Sequence, residues 1–419
     1  MKNISPWAWI PTLYFAEGLP YILVTGLSVV MFTAMGMSDT DIAFYTGWFG
    51  LPWAIKPFWS PFVDTLKTKR WWVLTMQMLM GAALAGIAFS LPTEMWLQCT
   101  ICAFFIISFC SATHDIAADG FYMIELKEHE QAQFVGIRNT FYRLAVIFGN
   151  SILVLIAGVL SDIFPTAYAW SFVFYGVAAL FILLWIFHLK FLPRPQADVK
   201  RENVFKSIGQ MFVSFFTKFP VGQLLVALAF LLFFRFPEAL LNTMSKTFLM
   251  RPQIDGGLGL TEQQFGIAYG TVGLFGLLLG GIVGGFLAST HGLKKWLWPM
   301  VLALTLPDLI YIYLSYTLDS NMLVVSSCLF VEQFGYGLGF TALTLYMLYF
   351  CQGAFKTSHY AICTGISFLG LMLPGIVSGW IKDAVGYQTF FIIVMISCAI
   401  TFIVTALIKI DPQFGKKTK

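Results

Sequence analysis

The sequence predicts an all-α polytopic membrane protein of twelve transmembrane helices, arranged as two pseudo-symmetric six-helix bundles. Three observations predict it. Of the 419 residues 58% are hydrophobic and 11% charged, and the mean hydropathy of +0.78 lies outside the range of a soluble domain. Apolar runs recur about a dozen times, each near the roughly 20 residues that a helix needs to cross a hydrocarbon layer of about 30 Å. The second half of the chain also repeats the first at a constant offset.

The runs, numbered as segments one to twelve, fall at about 6–36, 40–63, 71–91, 94–124, 133–161, 166–192, 220–250, 262–289, 296–317, 321–350, 358–380 and 388–409. Segment one lacks the short core and small-residue cleavage site of a secretory signal, so it is expected to stay as a span. Segment two is crowded with Tyr45, Trp48, Phe49, Trp53, Phe58 and Trp59. Most of these rings suit lipid or the interface belt, and one or two facing a cavity would suit the apolar face of a sugar. Between segments six and seven, Arg194 to Lys218 is the one long polar connection. Its Val204, Ile208, Met211, Phe212 and Phe215 recur at helical spacing opposite Lys206, Ser207 and Gln210, the pattern of an amphipathic helix on a membrane surface. The chain therefore divides into bundles at 1–193 and 220–419, joined by a linker at 194–219.

Lysine and arginine concentrate on one side, in Lys67, Lys69, Arg70, Lys127, Lys190, Arg194, Lys200, Arg201, Lys218, Lys294, Lys295 and the C-terminal tail, and only Arg251 and Lys382 fall opposite. The positive-inside rule places both termini and the linker in the cytoplasm. The other side carries Asp39, Asp41, Glu94, Asp162, Asp255, Asp319 and Asp383. Basic residues spread over many short loops form no patch for nucleic acid. The seven cysteines sit in or beside apolar stretches and read as small hydrophobes, and Cys99 and Cys102 lack the second ligand pair of a zinc site. No metal or cofactor is expected.

A shift of 225 residues lays Asp64 on Ser289, Lys69 on Lys294, Arg70 on Lys295 and Trp71 on Trp296. The loop that holds the first set, Ser60 to Trp71, resembles the major facilitator signature G-x-x-x-D-R-x-G-R-[KR], with Asp64 as the acid and Lys67, Lys69 and Arg70 as the basic cluster. Ser60 and Pro61 depart from its glycine. The resemblance implies a gating role for Asp64, Lys69, Arg70, Lys294 and Lys295. It also implies the major facilitator fold, with the cargo site between the halves near mid-membrane.

The ionisable residues inside the apolar segments carry the mechanism. They are Glu17, Lys56, Asp115, Asp119, Arg138, Arg143, Arg235, Glu238, Lys246, Asp308 and Glu332. Each costs at least about 2.5–3.5 kcal/mol to insert unless compensated. Asp115 and Asp119 stand four residues apart, on one face of segment four, where two close carboxylates favour holding a proton. Arg138 and Arg143 on segment five stand at similar depth, either to exchange partners with these acids or to tie segments four and five in a static network. In segment seven Arg235 and Glu238 flank Pro237, where the helix must break. Glu332 and Gln333 sit in the middle of segment ten. The Gly276, Gly280 and Gly284 stripe of segment eight suits close helix packing.

Several runs resemble the AmpG family, permeases that bring anhydromuropeptides from the periplasm into the bacterial cytoplasm. They are Gly18-Leu19-Pro20, Lys56-Pro-Phe-Trp59-Ser60-Pro61-Phe-Val-Asp64, Phe109 to Asp119 with Tyr142-Arg143-Leu144, Thr247-Phe248-Leu249, Phe330-Val-Glu332-Gln333 and Pro374 to Trp380. Glu17 and the Pro237-Glu238 pair depart from that family's pattern. The resemblance implies a proton-coupled importer of an amino-sugar disaccharide, such as GlcNAc-anhydroMurNAc, or its peptide derivative, working by alternating access as a monomer in a bacterial inner membrane. Proton coupling is expected at Asp115, Asp119, Glu332 and Glu17, and substrate binding at Lys56, Arg138, Tyr142, Arg143, Arg235, Glu238, Gln333 and Trp53. The alternative is a carrier of another anionic metabolite such as an acyl-CoA. A membrane-embedded enzyme is the remaining rival, and the sequence has neither HExxH nor a Gly-x-Ser-x-Gly elbow.

Overall fold

The computed structural model describes residues 4–126, 128–194, 204–351, 356–412 and 414. Lys127, Lys200, Arg201 and the last lysines of the tail lie outside the described residues. So do the side chains of Asp64, Val204, Lys206, Ser207, Ile208, Gln210, Met211 and Ser289, although their backbones are helical.

The described residues form helices joined by short turns, with no strand. This follows from the solvent: lipid offers no partner to a backbone N–H or C=O, so an apolar run satisfies its own polar groups by closing into a helix. Among the described residues ten segments are long and apolar enough to cross a membrane, two fewer than the twelve of the sequence pattern. The counts diverge at two places. Segment two is split into the helices Asp39–Phe49 and Leu51–Thr65, which abut at Gly50 and carry Asp39, Asp41, Lys56 and Asp64. Segments eleven and twelve run together as Lys356–Leu407, broken at Gly386, whose φ of 74° leaves the helical region and needs a residue without Cβ.

Two compact units emerge, one of residues 1–31 with 55–208, the other of residues 32–54 with 209–419. In the first, Lys69–Ser90 packs on Trp96–Glu125 and Thr166–Phe191, and Ile10–Ile22 packs on Glu128–Ile147. Trp9, Leu13, Val73, Ala117 and Phe121 are fully buried where these helices meet. In the second, Leu274–His291 lies against Met322–Phe350, and Phe236–Met250 against Lys356–Leu407. Its apolar core holds Phe230, Met300, Val301, Ala342 and Leu343.

The glycine stripe of segment eight explains one of these contacts. A Cβ at Gly280 would lie 2.0 Å from the carbonyl oxygen of Phe334, and one at Gly337 would lie 2.1 Å from that of Leu277. Small residues on both helices thus bring the two backbones together, which in lipid is a main source of helix association. The outward side chains are apolar and exposed, among them Phe89, Leu183, Phe286, Leu323 and Ile396. In a protein surrounded by lipid that exposure carries no penalty. The linker forms a helix over Val204–Thr217, and its Phe215 is buried against Phe350 and His359.

Candidate functional site

Polar and charged side chains gather in the interior of each unit. In the first, segment four supplies Asp115 and Asp119, segment two Lys56, segment five Arg138, and segment one Tyr14 and Glu17. Lys56 forms an ion pair with Asp115. Arg138 pairs with Asp119 at 2.8 Å, and the Tyr14 hydroxyl donates to the same carboxylate at 3.1 Å. The Arg138 guanidinium also lies 4.4 Å from the centre of the Tyr14 ring and 5.2 Å from that of Tyr122, so its hydrophobic faces are covered by π-systems while its edge meets the carboxylate. Glu17 is buried beside both aspartates, with Oε2 bonded to no described group. Tyr142 faces Glu17, Asp115 and Asp119, and its backbone oxygen would stand 2.8 Å from a Cβ at Gly18. π-Helical turns at Leu23–Leu27 and Phe148–Leu153 interrupt segments one and five just beyond this cluster. Such turns recur at functional sites because they re-aim side chains without ending a helix.

Behind Asp115 runs a buried chain. His114 Nε2 lies 3.0 Å from Gln77 Nε2, Gln77 Oε1 lies 2.9 Å from His188 Nδ1, and His188 Nε2 lies 3.0 Å from the Thr12 hydroxyl. As placed, the Gln77 amide turns its nitrogen to His114 and its oxygen to His188, so it donates to the first and accepts from the second.

In the second unit segment seven breaks where Pro237 demands, ending one helix at Phe233 and starting the next at Phe236. Arg235 caps the break and bonds Glu238 through Nε at 2.7 Å and a terminal nitrogen at 2.5 Å, and it reaches the Tyr336 hydroxyl at 2.8 Å. Glu332 is 8% exposed and accepts from Gln333 Nε2 at 2.8 Å. A third π-helical turn, Gly266–Gly273, lets segment eight approach here, and a Cβ at Gly273 would meet Gln333 Cγ at 3.2 Å. Lys246 is buried close by, 3.3 Å from Asn242 Oδ1. Asp308 faces Glu332 and Glu238 from a 3₁₀ turn in segment nine.

The second unit holds another network, at its Asp-rich end. The Asp39 side chain is 1% exposed and receives Arg251 at 2.9 Å, the ammonium of Lys382, and the Tyr387 hydroxyl at 2.6 Å. Tyr387 also lies 3.1 Å from Thr247, Arg251 bonds the carbonyl of Met37, and Lys382 holds Asp383 at 3.1 Å. A Cβ at Gly379 would come within 2.5 Å of the Thr40 Cα, so the backbones here are in contact. Among the described residues no group of His, Cys, Asp and Glu has the arrangement of a metal site.

Ionisable residues inside apolar segments mark functional positions by default. The profile of the Major Facilitator Superfamily matches residues 10–354. The chain belongs to that superfamily. It is a multi-pass membrane transporter of a small molecule. It is 25% identical over 390 residues to the anhydromuropeptide permease of Escherichia coli K12, covering 91% of this chain and 75% of that one. It is 25% identical over 409 residues to a putative transporter named AmpG 4 of Rickettsia conorii, covering 92% of each. Among solved structures it superposes on a point mutant of the nucleoside transporter NupG with a TM-score of 0.74 at 16% identity, covering 96% of this chain and 99% of that one. It superposes on a D-xylose-proton symporter with a TM-score of 0.70 at 12% identity, covering 94% and 96%. At those identities the two structures speak for the fold alone.

Ten of the twelve expected coupling and binding residues fall into two clusters in the structure. Glu17, Lys56, Asp115, Asp119, Arg138 and Tyr142 meet in one cluster, and Arg235, Glu238, Glu332 and Gln333 lie in the other. Arg143 is exposed and makes no ion pair among the described residues, and Lys56 holds Asp115 in its place. Trp53 is buried, with its ring 6.4 Å from that of Phe368. Of the expected gating residues, Arg70 donates to the carbonyls of Leu189 and Leu192, at 2.7 and 3.2 Å, and so caps the C-terminal end of segment six. Lys69 is buried, its stem against Gly120, while Lys294 and Lys295 are exposed. The Asp39 network was missed in the sequence. Its signal was present: Arg251 and Lys382 are the two bases that the charge count leaves on the acidic side, and a lone base there asks for an acid.

Proposed function

We propose that the chain is a proton-coupled secondary active importer of an amino-sugar disaccharide, an anhydromuropeptide or a related saccharide. It works by alternating access of two six-segment halves, 1–193 and 220–419, in a bacterial inner membrane with both termini cytoplasmic. The observation that carries this reading is a charge imbalance. Each interior cluster has three acids and two bases: Glu17, Asp115 and Asp119 with Lys56 and Arg138, and Glu238, Asp308 and Glu332 with Arg235 and Lys246. In lipid a cluster with one surplus acid is neutral only when it holds one proton, so protonation removes the charge that would resist its movement.

In this reading Asp115, Asp119, Glu17 and Glu332 exchange the proton. Lys56, Arg138, Tyr142, Arg143, Arg235, Glu238, Gln333 and Trp53 meet the cargo, whose carboxylate and hydroxyls suit cations, amide and ring. Asp64, Lys69, Arg70, Lys294 and Lys295 control the cytoplasmic side. The name of the E. coli relative supports a muropeptide cargo. The buried cations also suit another anionic metabolite, such as an acyl-CoA, which is the second reading. The test is uptake by an indicator strain that expresses the chain and is fed GlcNAc-anhydroMurNAc, glucosides and chitobiose in parallel. Uptake of the first is expected. Uptake of none of the three, with acyl-CoA taken up by vesicles, would turn the assignment to the second reading.

A further inference from the structure

Among the described residues, Asp308 is the one ionisable group of the second unit's interior whose compensation is not visible in its neighbours. It is 6% exposed, and it accepts no hydrogen bond from any described group. Its place follows from local sequence. Thr305, Leu306 and Pro307 end the helix Leu293–Thr305, because proline supplies no N–H to the turn, and a 3₁₀ turn at Leu306–Asp308 restarts it. Segment ten seats against that break through Gly335, where a Cβ would lie 2.0 Å from the Ala303 carbonyl and 2.9 Å from Pro307 Cγ. Glu332 stands three residues before Gly335, nearly one helical turn, and so faces the break.

Asp308, Glu332, Glu238 and Tyr336 line one small cavity with room for about one water molecule. The groups around Asp308 are Glu238 on segment seven, Glu332 and Tyr336 on segment ten, Tyr311 on its own segment and Cys398 on segment twelve. None is a cation. Arg235 binds Glu238 and Tyr336, and Lys246 bonds Asn242 and faces Glu238 and Glu332. Glu238 is thus neutralised by a bidentate partner and Glu332 has an amide donor, whereas Asp308 has neither. An isolated ionised carboxylate is costly in such a place, and protonation removes most of that cost.

We propose that Asp308 and Glu332 form a proton-binding site across this cavity, with the exchangeable proton resident on Asp308. The proton leaves one Asp308 oxygen for a Glu332 oxygen, directly or through one water, and the Asp308 carboxylate accepts the next. The site rests on the proton-coupled reading only for its use in transport, since binding of the proton can be read by itself.

The experiment is an infrared titration of the purified full chain in lipid nanodiscs, from mildly acidic to mildly alkaline pH. The protonated-carboxyl C=O stretch is followed in wild type, Asp308→Asn, Glu332→Gln and, as a control, Asp319→Asn. A band that outlasts the ionisation of exposed acids is expected in wild type and in the control. Asp308→Asn loses one carboxyl's intensity from it, and Glu332→Gln shifts its midpoint. A wild-type spectrum without such a band, or an Asp308→Asn titration superposable on wild type, overturns the proposal. If Asp308→Asn does not fold, an unshifted midpoint in Glu332→Gln does the same. Cargo uptake by wild-type protein that is indifferent to a pH gradient, with the Asp308 band present, would overturn proton coupling and leave the proton site standing.

Discussion

Asp39 offers the sharpest perturbation, because its surroundings let the effect be sized. Its carboxylate is 1% exposed and faces two cations, Arg251 and Lys382, whose side chains are 17% and 15% exposed, together with the Tyr387 hydroxyl. In Asp39→Asn the shape is kept and the anion is lost, leaving both cations without it. Removing one partner of a buried pair typically costs about 3–5 kcal/mol. Lys382 keeps Asp383 at 3.1 Å, and Arg251 keeps the Met37 carbonyl, so the lower end applies. About 3 kcal/mol corresponds to roughly a hundredfold shift in the population of the arrangement that this network holds. The assay is hydrogen–deuterium exchange of peptides spanning 37–49 in nanodiscs, in which the variant should exchange about a hundredfold faster than wild type. The double variant Asp39→Asn/Arg251→Gln, which removes one orphaned cation, should recover part of the difference. Unchanged exchange in the single variant would refute the reasoning, as would a double variant worse by the sum of the two singles.

Other expectations follow from the same geometry. Asp115→Asn strands Lys56, and Lys56→Met strands Asp115, so each should cut cargo uptake at least about tenfold at equal protein level. Lys56→Met/Asp115→Leu should insert and fold better than either single change, as judged by monodisperse yield in detergent. Gln77→Leu leaves His114 and His188 without their shared partner at a cost of about 1–3 kcal/mol per group, read as a lower Tm with uptake retained at low temperature. Gly280→Val drives a side chain into the Phe334 carbonyl, and overpacking of about 1–3 kcal/mol or more should reduce folded yield, whereas the same change at Gly285, where nothing lies within 4 Å, should not.

Much of the fold was legible in the sequence, because the hydrophobic segments have only one way to satisfy their backbones in lipid. The break at Pro237 and the close packing of Gly280 could be read from single residues, since both rest on backbone chemistry. The choice of ionic partners could not. Depth counted from a shared loop places Arg138 and Arg143 alike, but Arg138 meets Asp119 while Arg143 is exposed and in no ion pair among the described residues. The long Lys56 side chain bridges segments two and four to reach Asp115, and their separation in sequence carries no sign of it. Gln77 reads as a lone polar residue in an apolar run until the two histidines stand on either side of it. Arg70 belongs to a motif that suggests a moving latch, yet here it spends its donors on two carbonyls of its own unit. The Asp39 network joins residues more than two hundred positions apart, so charge counting could mark its bases but not their meeting point.

Coupling, as proposed, depends on buried carboxylates that take up and release a proton as cargo moves. The most direct test is uptake of labelled GlcNAc-anhydroMurNAc into proteoliposomes of the purified chain, with and without an imposed pH gradient, in wild type and Asp115→Asn. Accumulation above the external concentration in wild type only when the gradient is present, and none in the variant, is the expected result. Equal accumulation with the gradient collapsed, or in the Asp115→Asn protein, would contradict it.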